Sequence, residues 1–208
     1  MIQAQSEYLA SGNIARDVII GRDPDILADI RDPGIAAAIW QRTPEPGFQR
    51  WIDAQPKSCL PELRAVIPVH FAEAAVTVAC DNHGMAASAE RERLASDVGA
   101  LALMLAKVLK VRQVRLRLDV SDEVMCPKFH LDNVRARLLC TYRGPGTEYG
   151  PECGSQEISR IRQVPQGAVA LFRGRLWSSE EATGLLHRSP ASAPGAGARL
   201  LLVIDPVD

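Results

Sequence analysis

Residues 129–142 read "FHLDNVRARLLCTY". Two patterns overlap in this stretch. At its front, His130 and Asp132 stand one residue apart. Behind them, Val134, Ala136, Leu138, Cys140 and Tyr142 recur every second position, the period of a strand with one apolar face. Side chains two apart in an extended chain point the same way. If no bulge intervenes, His130 and Asp132 therefore share the apolar, inward face with these residues. A histidine and a carboxylate on such a face are costly unless they are paired or bound to a cation.

The surroundings repeat the strand pattern. In "VRLRLDV", Val114, Leu116, Leu118 and Val120 alternate with Arg115, Arg117 and Asp119. "VPQGAVALFRG" (164–174) reads as a turn entering a buried strand, and "PGAGARLLLVID" (194–205) as a turn and a last strand. "GPGTEYGPECGSQE" (144–157) is rich in Gly and Pro and reads as a long loop, a flap over a pocket. Before the strands, Leu94, Val98, Leu101, Leu105, Val108 and Leu109 form one apolar stripe at spacings of three and four, which predicts a helix over 86–110. Residues 1–65 carry prolines at 24, 33, 44, 46, 56 and 61 and read as irregular. "IAAAIWQR" (35–42) fits a strand or a buried helical turn, and "AVIPVHFAEAAVTVAC" (65–80) is ambiguous. The expected fold is α+β: a jelly-roll core over 112–205, backed by the 86–110 helix, with an irregular and helical portion at 1–85, all in one domain.

Composition bounds the function. The chain has 208 residues, 47% of them hydrophobic and 24% charged, with a formal net charge of −1. A dedicated binder of nucleic acid or an anionic membrane would show a basic excess. The apolar run "VGALALMLAKVLKV" is broken by two lysines and is too short to span a bilayer. The start "MIQAQSEYLASGN" lacks the pattern of a signal peptide. The five cysteines form no CxxC pair. An odd thiol count without a signal sequence predicts reduced cysteines and a cytoplasmic location.

A metal needs a third ligand. His70 lies in an apolar run and His83 in the turn "DNHG". His187 lies in "GLLHRSP", just ahead of the last turn and strand. Two histidines and one carboxylate with open coordination positions are the ligand set of non-haem Fe(II) oxygenases. Two other readings stay open: His130 and Asp132 as a hydrogen-bonded pair that steadies a bend, or a zinc site built from Cys126, His130 and Cys153, since thiolate favours zinc.

"FHLDN", then a strand, "VPQGAVALFRG", "LLHRSP" and "GARLLLVID", in that order, resemble the double-stranded β-helix core of Fe(II)/2-oxoglutarate-dependent oxygenases over about residues 112–205. The resemblance implies Fe(II) held by His130, Asp132 and His187, and 2-oxoglutarate anchored through its far carboxylate by Arg199. Tyr142, on the inward parity, would reach the same pocket. The chain also resembles a bacterial domain family with a CPxFHxD…TYxGPGTE…HRSP pattern and no assigned reaction, here Cys126, His130, Asp132, "TYRGPGTEY" (141–149) and His187–Pro190. The implied activity is a metal-dependent hydroxylation of an unspecified small-molecule or protein substrate. The alternative is a zinc-handling protein of the same fold without catalysis.

Overall fold

The computed structural model describes residues 13–123, 126–153, 157–158, 160–177, 180–191 and 197–207, with backbone only at 153 and 157. Its strands, in chain order, are β1 (Ile14–Ala15), β2 (Asp17–Gly21), β3 (Ile35–Trp40), β4 (Leu63–Pro68), β5 (Gln113–Ser121), β6 (Ala136–Arg143), β7 (Glu148–Cys153), β8 (Glu157–Ile158), β9 (Arg162–Gln163), β10 (Val169–Arg173), β11 (Ala182–Thr183), β12 (Leu185–Arg188) and β13 (Arg199–Val207). The α-helices are α1 (Pro46–Ala54), α2 (Ala72–Asn82) and α3 (Ala89–Leu109).

A major sheet runs β2-β3-β10-β6-β13-β5-β4, and a minor sheet runs β12-β7-β8 with β9 also on β7. Within the major sheet, β5, β13, β6 and β10 are neighbours joined antiparallel. The minor sheet gains a further extended segment at residue 130, bridged to β12. The chain therefore alternates between sheets as it advances: β5 major, 130 minor, β6 major, β7 to β9 minor, β10 major, β12 minor, β13 major. That alternation is a double-stranded β-helix, here within an α+β protein.

The α3 helix forms where its stripe predicted. Ser88 caps it, its hydroxyl accepting from the Arg91 N–H at 3.2 Å. Lys110 ends it in the left-handed region at φ 55°. Leu94, Val98, Leu101, Leu105 and Leu109 are buried against the major sheet and α2. Each such side chain contributes about 1.5–3 kcal/mol on leaving water.

The front of the chain is more regular than its prolines suggested. "IAAAIWQR" supplies β3, a parallel partner of β2 and an antiparallel partner of β10. The ambiguous 65–80 stretch divides: its first residues complete β4 at the other edge of the sheet, and α2 begins at Ala72. Pro24 and Pro46 sit in the first turn of their helices, where the missing N–H costs nothing. Prolines were counted as breakers where they act as starters.

The described part of the 144–157 stretch is not a free flap. Its residues 148–153 are β7, whose Tyr149 lies opposite His187 in the antiparallel register with β12. Gly146 permits this path, since a Cβ there would lie 1.8 Å from the Val164 carbonyl oxygen.

Candidate metal centre

The parity expected at the opening stretch breaks before the strand begins. β6 starts at Ala136, and residues 133–135 form a bend. Ala136, Leu138, Cys140 and Tyr142 face the helices, packed with Leu94, Leu101 and Leu116. Leu139 faces the minor sheet, clustered with Phe172, Tyr149, Leu201 and Val203. His130 and Asp132 project into this second space, so they do not share the face of Leu138 and Cys140.

Three side chains converge there. One ligand atom each from His130, Asp132 and His187 lies within 4.8 Å of the others. Backbone pairing brings the histidines together: the His130 N–H donates to the His187 carbonyl at 3.0 Å, and the reciprocal bond is 3.1 Å. Their rings lie 4.8 Å apart, and the His187 ring packs 4.9 Å from Phe172. Asp132 Oδ2 is 2.9 Å from His187 Nε2, and Oδ1 is 3.6 Å from His130 Nε2. His130 Nδ1 lies 2.9 Å from the Lys128 carbonyl. A proton on Nδ1 makes that hydrogen bond and leaves the Nε2 lone pair directed at the cluster.

Asp132 and His187 are biased toward the unprotonated forms a metal requires, and His130 away from it. Burial alone would raise the Asp132 carboxyl, but hydrogen bonds from His130 and His187 and the charges of His187 and Arg137 outweigh it and hold the group ionised, well below the usual range. Burial pushes His187 below its ordinary value, toward the neutral ring a metal requires, against the pull of Asp132. His130 is raised, first by its hydrogen bond to Asp132. Asp132 Oδ2 is buried and makes no aligned hydrogen bond, and His187 Nδ1 is buried without a partner. With the His187 ring neutral and its Nε2 lone pair turned toward it, Oδ2 has no donor, which is costly in a dry site. A divalent cation removes that cost, so the donor set fits a metal.

Arg199 approaches from the start of β13. Its Nε donates to the Pro145 carbonyl at 2.8 Å, and one Nη donates to the hydroxyls of Thr141 (3.1 Å) and Thr147 (3.2 Å). Among the described residues no carboxylate lies within ion-pair distance of it. Burial lowers its pKa to about 10, with the charge of Asp119 acting the other way. Asp205, the buried carboxylate of the same strand, is bound to Arg137 at 2.7 Å. Gly144, at φ +84°, lets the chain turn against Arg199.

Tyr142 is a correction. Its hydroxyl donates to Asp97 Oδ2 on α3 at 2.6 Å, and its ring meets Phe48 of α1 edge-on. It lies on the helix side of the sheet and cannot line the metal pocket. Cys126 is exposed and lines that pocket beside His130, His187, Thr147 and Arg188, but its sulfur is not among the three converging atoms. The Cys153 side chain lies outside the described residues. Arg188 pairs with Glu148 at 2.7 Å and covers the Phe129 ring.

Sequence reasoning missed Arg137. It lies between the apolar residues of β6, and strict alternation reads as one buried and one solvated face. Here the charged side faces a second core. A wider depression of about 600 Å³ near Lys110, Trp177 and Glu181 carries mixed charge and, among the described residues, no cluster of metal-ligating groups. No described helix is long and apolar enough to cross a membrane.

Comparison with known proteins supports the architecture. The structure is similar to the dioxygenase for auxin oxidation 1 from Arabidopsis thaliana, solved as a complex with 2-oxoglutarate: TM-score 0.58, 11% identity, covering 92% of each chain. It is also similar to the dioxygenase for auxin oxidation of rice: TM-score 0.52, 15% identity, covering 92% of this chain and 83% of that one. At these identities the likeness is one of fold. No curated protein matches the sequence. A family described as "Protein of unknown function (DUF1826)" matches residues 21–205. With most of its length so matched, the chain belongs to the DUF1826 family.

Proposed function

We propose that this protein is an Fe(II)- and 2-oxoglutarate-dependent oxygenase with His130, Asp132 and His187 as its metal ligands. The observation that carries the reading is the convergence of His130, Asp132 and His187, with the buried Asp132 Oδ2 2.9 Å from His187 Nε2 and without an aligned donor, inside a double-stranded β-helix. The ligand set leaves coordination positions for exogenous groups. Bound iron would supply, with dioxygen as oxidant, oxidative decarboxylation of 2-oxoglutarate to succinate and carbon dioxide coupled to hydroxylation of a substrate C–H bond, one oxygen atom going to each.

The chain's own residues have separate tasks. Arg199, a partly buried guanidinium whose hydrogen-bond acceptors are all neutral oxygens, offers charge-assisted hydrogen bonds to the far carboxylate of the cosubstrate. The hydroxyls of Thr141 and Thr147 hold that guanidinium in place. Leu139, Leu201 and Val203 line the cavity and keep water from it. The Lys128 carbonyl orients His130.

The test uses untagged protein. Metal-free protein reconstituted with Fe(II) without oxygen, then mixed with 2-oxoglutarate and air, is expected to form succinate and carbon dioxide above an iron-free control. Tight stoichiometric zinc with no succinate would favour the zinc-handling alternative.

A further inference from the structure

We infer that Arg137, held by Asp205, is a positioning residue that occupies one oxygen of Asp132 and makes this carboxylate a one-oxygen ligand. The inference rests on the metal-site reading above.

Arg137 projects from β6 toward the minor sheet, opposite Phe172 of β10, against which His187 packs. One Nη donates to Asp132 Oδ1. Its Nε and its other Nη grip both oxygens of Asp205 at 2.7 and 2.9 Å. Asp205 is 1% exposed and the Arg137 side chain 17%, so the charges are sheltered from solvent. Asp205 belongs to β13, immediately after Ile204, which pairs with Leu138.

The geometry divides the two oxygens of Asp132. Oδ1 has a guanidinium donor, while Oδ2, 2.9 Å from His187 Nε2, has none. A planar five-donor group in a rigid fork is suited to bridging two carboxylates, and a lysine is not. With Oδ1 engaged, a cation meets Asp132 through Oδ2 alone, and an additional coordination position stays open. Asp205 cancels the guanidinium charge, which would otherwise oppose a cation nearby. Without Asp205, Arg137 would be a buried charge free to swing off Asp132.

The experiment uses Co(II) on the full-length metal-free protein, read by its visible absorption and by titration, with circular dichroism as a fold check. Wild type should bind one Co(II). R137K and the charge-neutral double variant R137M/D205N should bind about 10- to 100-fold more weakly, the range for outer partners of metal ligands. Their Co(II) band should change in intensity, reporting a different coordination number. Folded variants with wild-type affinity and an unchanged band would overturn the inference while leaving the metal site standing. Should the variants not fold, a crystal structure of Co(II)-loaded wild type decides: Oδ2 alone on the metal, with Oδ1 on Arg137, supports it, and two Asp132 oxygens on the metal overturn it. Wild type that binds no Co(II) removes the metal reading and this inference with it.

Discussion

The two faces of the major sheet bury charge in opposite ways. On the helix-facing side, Asp97 accepts two hydrogen bonds from Arg42, both 2.6 Å, and one from Tyr142. Cation, carboxylate and hydroxyl satisfy one another, and Leu, Val and Phe side chains close around them. On the side facing the minor sheet, Asp132 Oδ2, His187 Nδ1 and Arg117 Nε are buried without hydrogen-bond partners, and Arg199 has only neutral acceptors. The first arrangement completes a fold. On the proposed reading, the second is complete only when a cation and an anion enter it. One sheet separates them, so the difference comes from side-chain direction rather than from depth.

The sharpest way to break this contrast is at His187. His187→Ala is expected to lower Fe(II) or Co(II) affinity by more than about 100-fold, beyond the range for outer partners of a ligand. The fold should persist, because the larger Leu and Val core lies on the helix side of the major sheet. Metal analysis beside a thermal melt checks both. Global unfolding of this variant, with no metal in the parent, would mean that the inner face is structural like the outer one.

Arg199→Met comes next. Removing charged hydrogen bonds worth about 1.5–3 kcal/mol should raise the KM for 2-oxoglutarate by roughly 10- to 100-fold. Metal affinity should be unaltered. Steady-state kinetics at saturating iron measures it. An unaltered KM would assign the arginine to the fold.

On the helix side the expectation reverses. Tyr142→Phe should cost about 1–2 kcal/mol of stability in urea unfolding, with metal affinity and 2-oxoglutarate KM as in wild type. A change in either ligand would mean that the two faces communicate.

The smallest effect is alkaline. Burial raises the Cys140 thiol from 9.0 to about 12, and burial with the nearby Asp97 charge raises the Tyr142 phenol well above 10.0. Both groups stay protonated in the folded protein after the unfolded chain has begun to lose those protons. Their contribution is complete below pH 9 and is lost as pH rises toward 12, about 1 kcal/mol by pH 10 for the thiol. Denaturant midpoints from pH 8 to 10 should therefore decline, and less steeply in Cys140→Ala.

Much of this was legible along the chain. The α3 stripe, the alternation in β5 and the order of His130, Asp132, His187 and Arg199 are local or ordinal features. Helical and strand periods follow from backbone geometry, and a short dipeptide spacing survives any fold. The parity argument failed at Tyr142 because three bent residues, 133–135, uncouple the direction of Asp132 from that of Leu138. Asn133 favours a bend, but one such residue does not fix where the alternation breaks. The reading of residues 1–65 failed differently: β2 and β3 are strands because β10 offers an open edge, a partner more than 120 residues away.

The sequence by itself determined the α3 helix and the strands β5, β6, β10 and β13, the order of three candidate ligands, and a near-neutral charge balance. Tertiary structure decided which face each side chain meets. Only it shows that both faces of the major sheet are buried, so that Arg137 and Arg199 lie in a second core rather than in solvent. Periodicity along one strand carries no information about what covers its polar side. That depends on the minor sheet, which closes over it through residues far away in the chain.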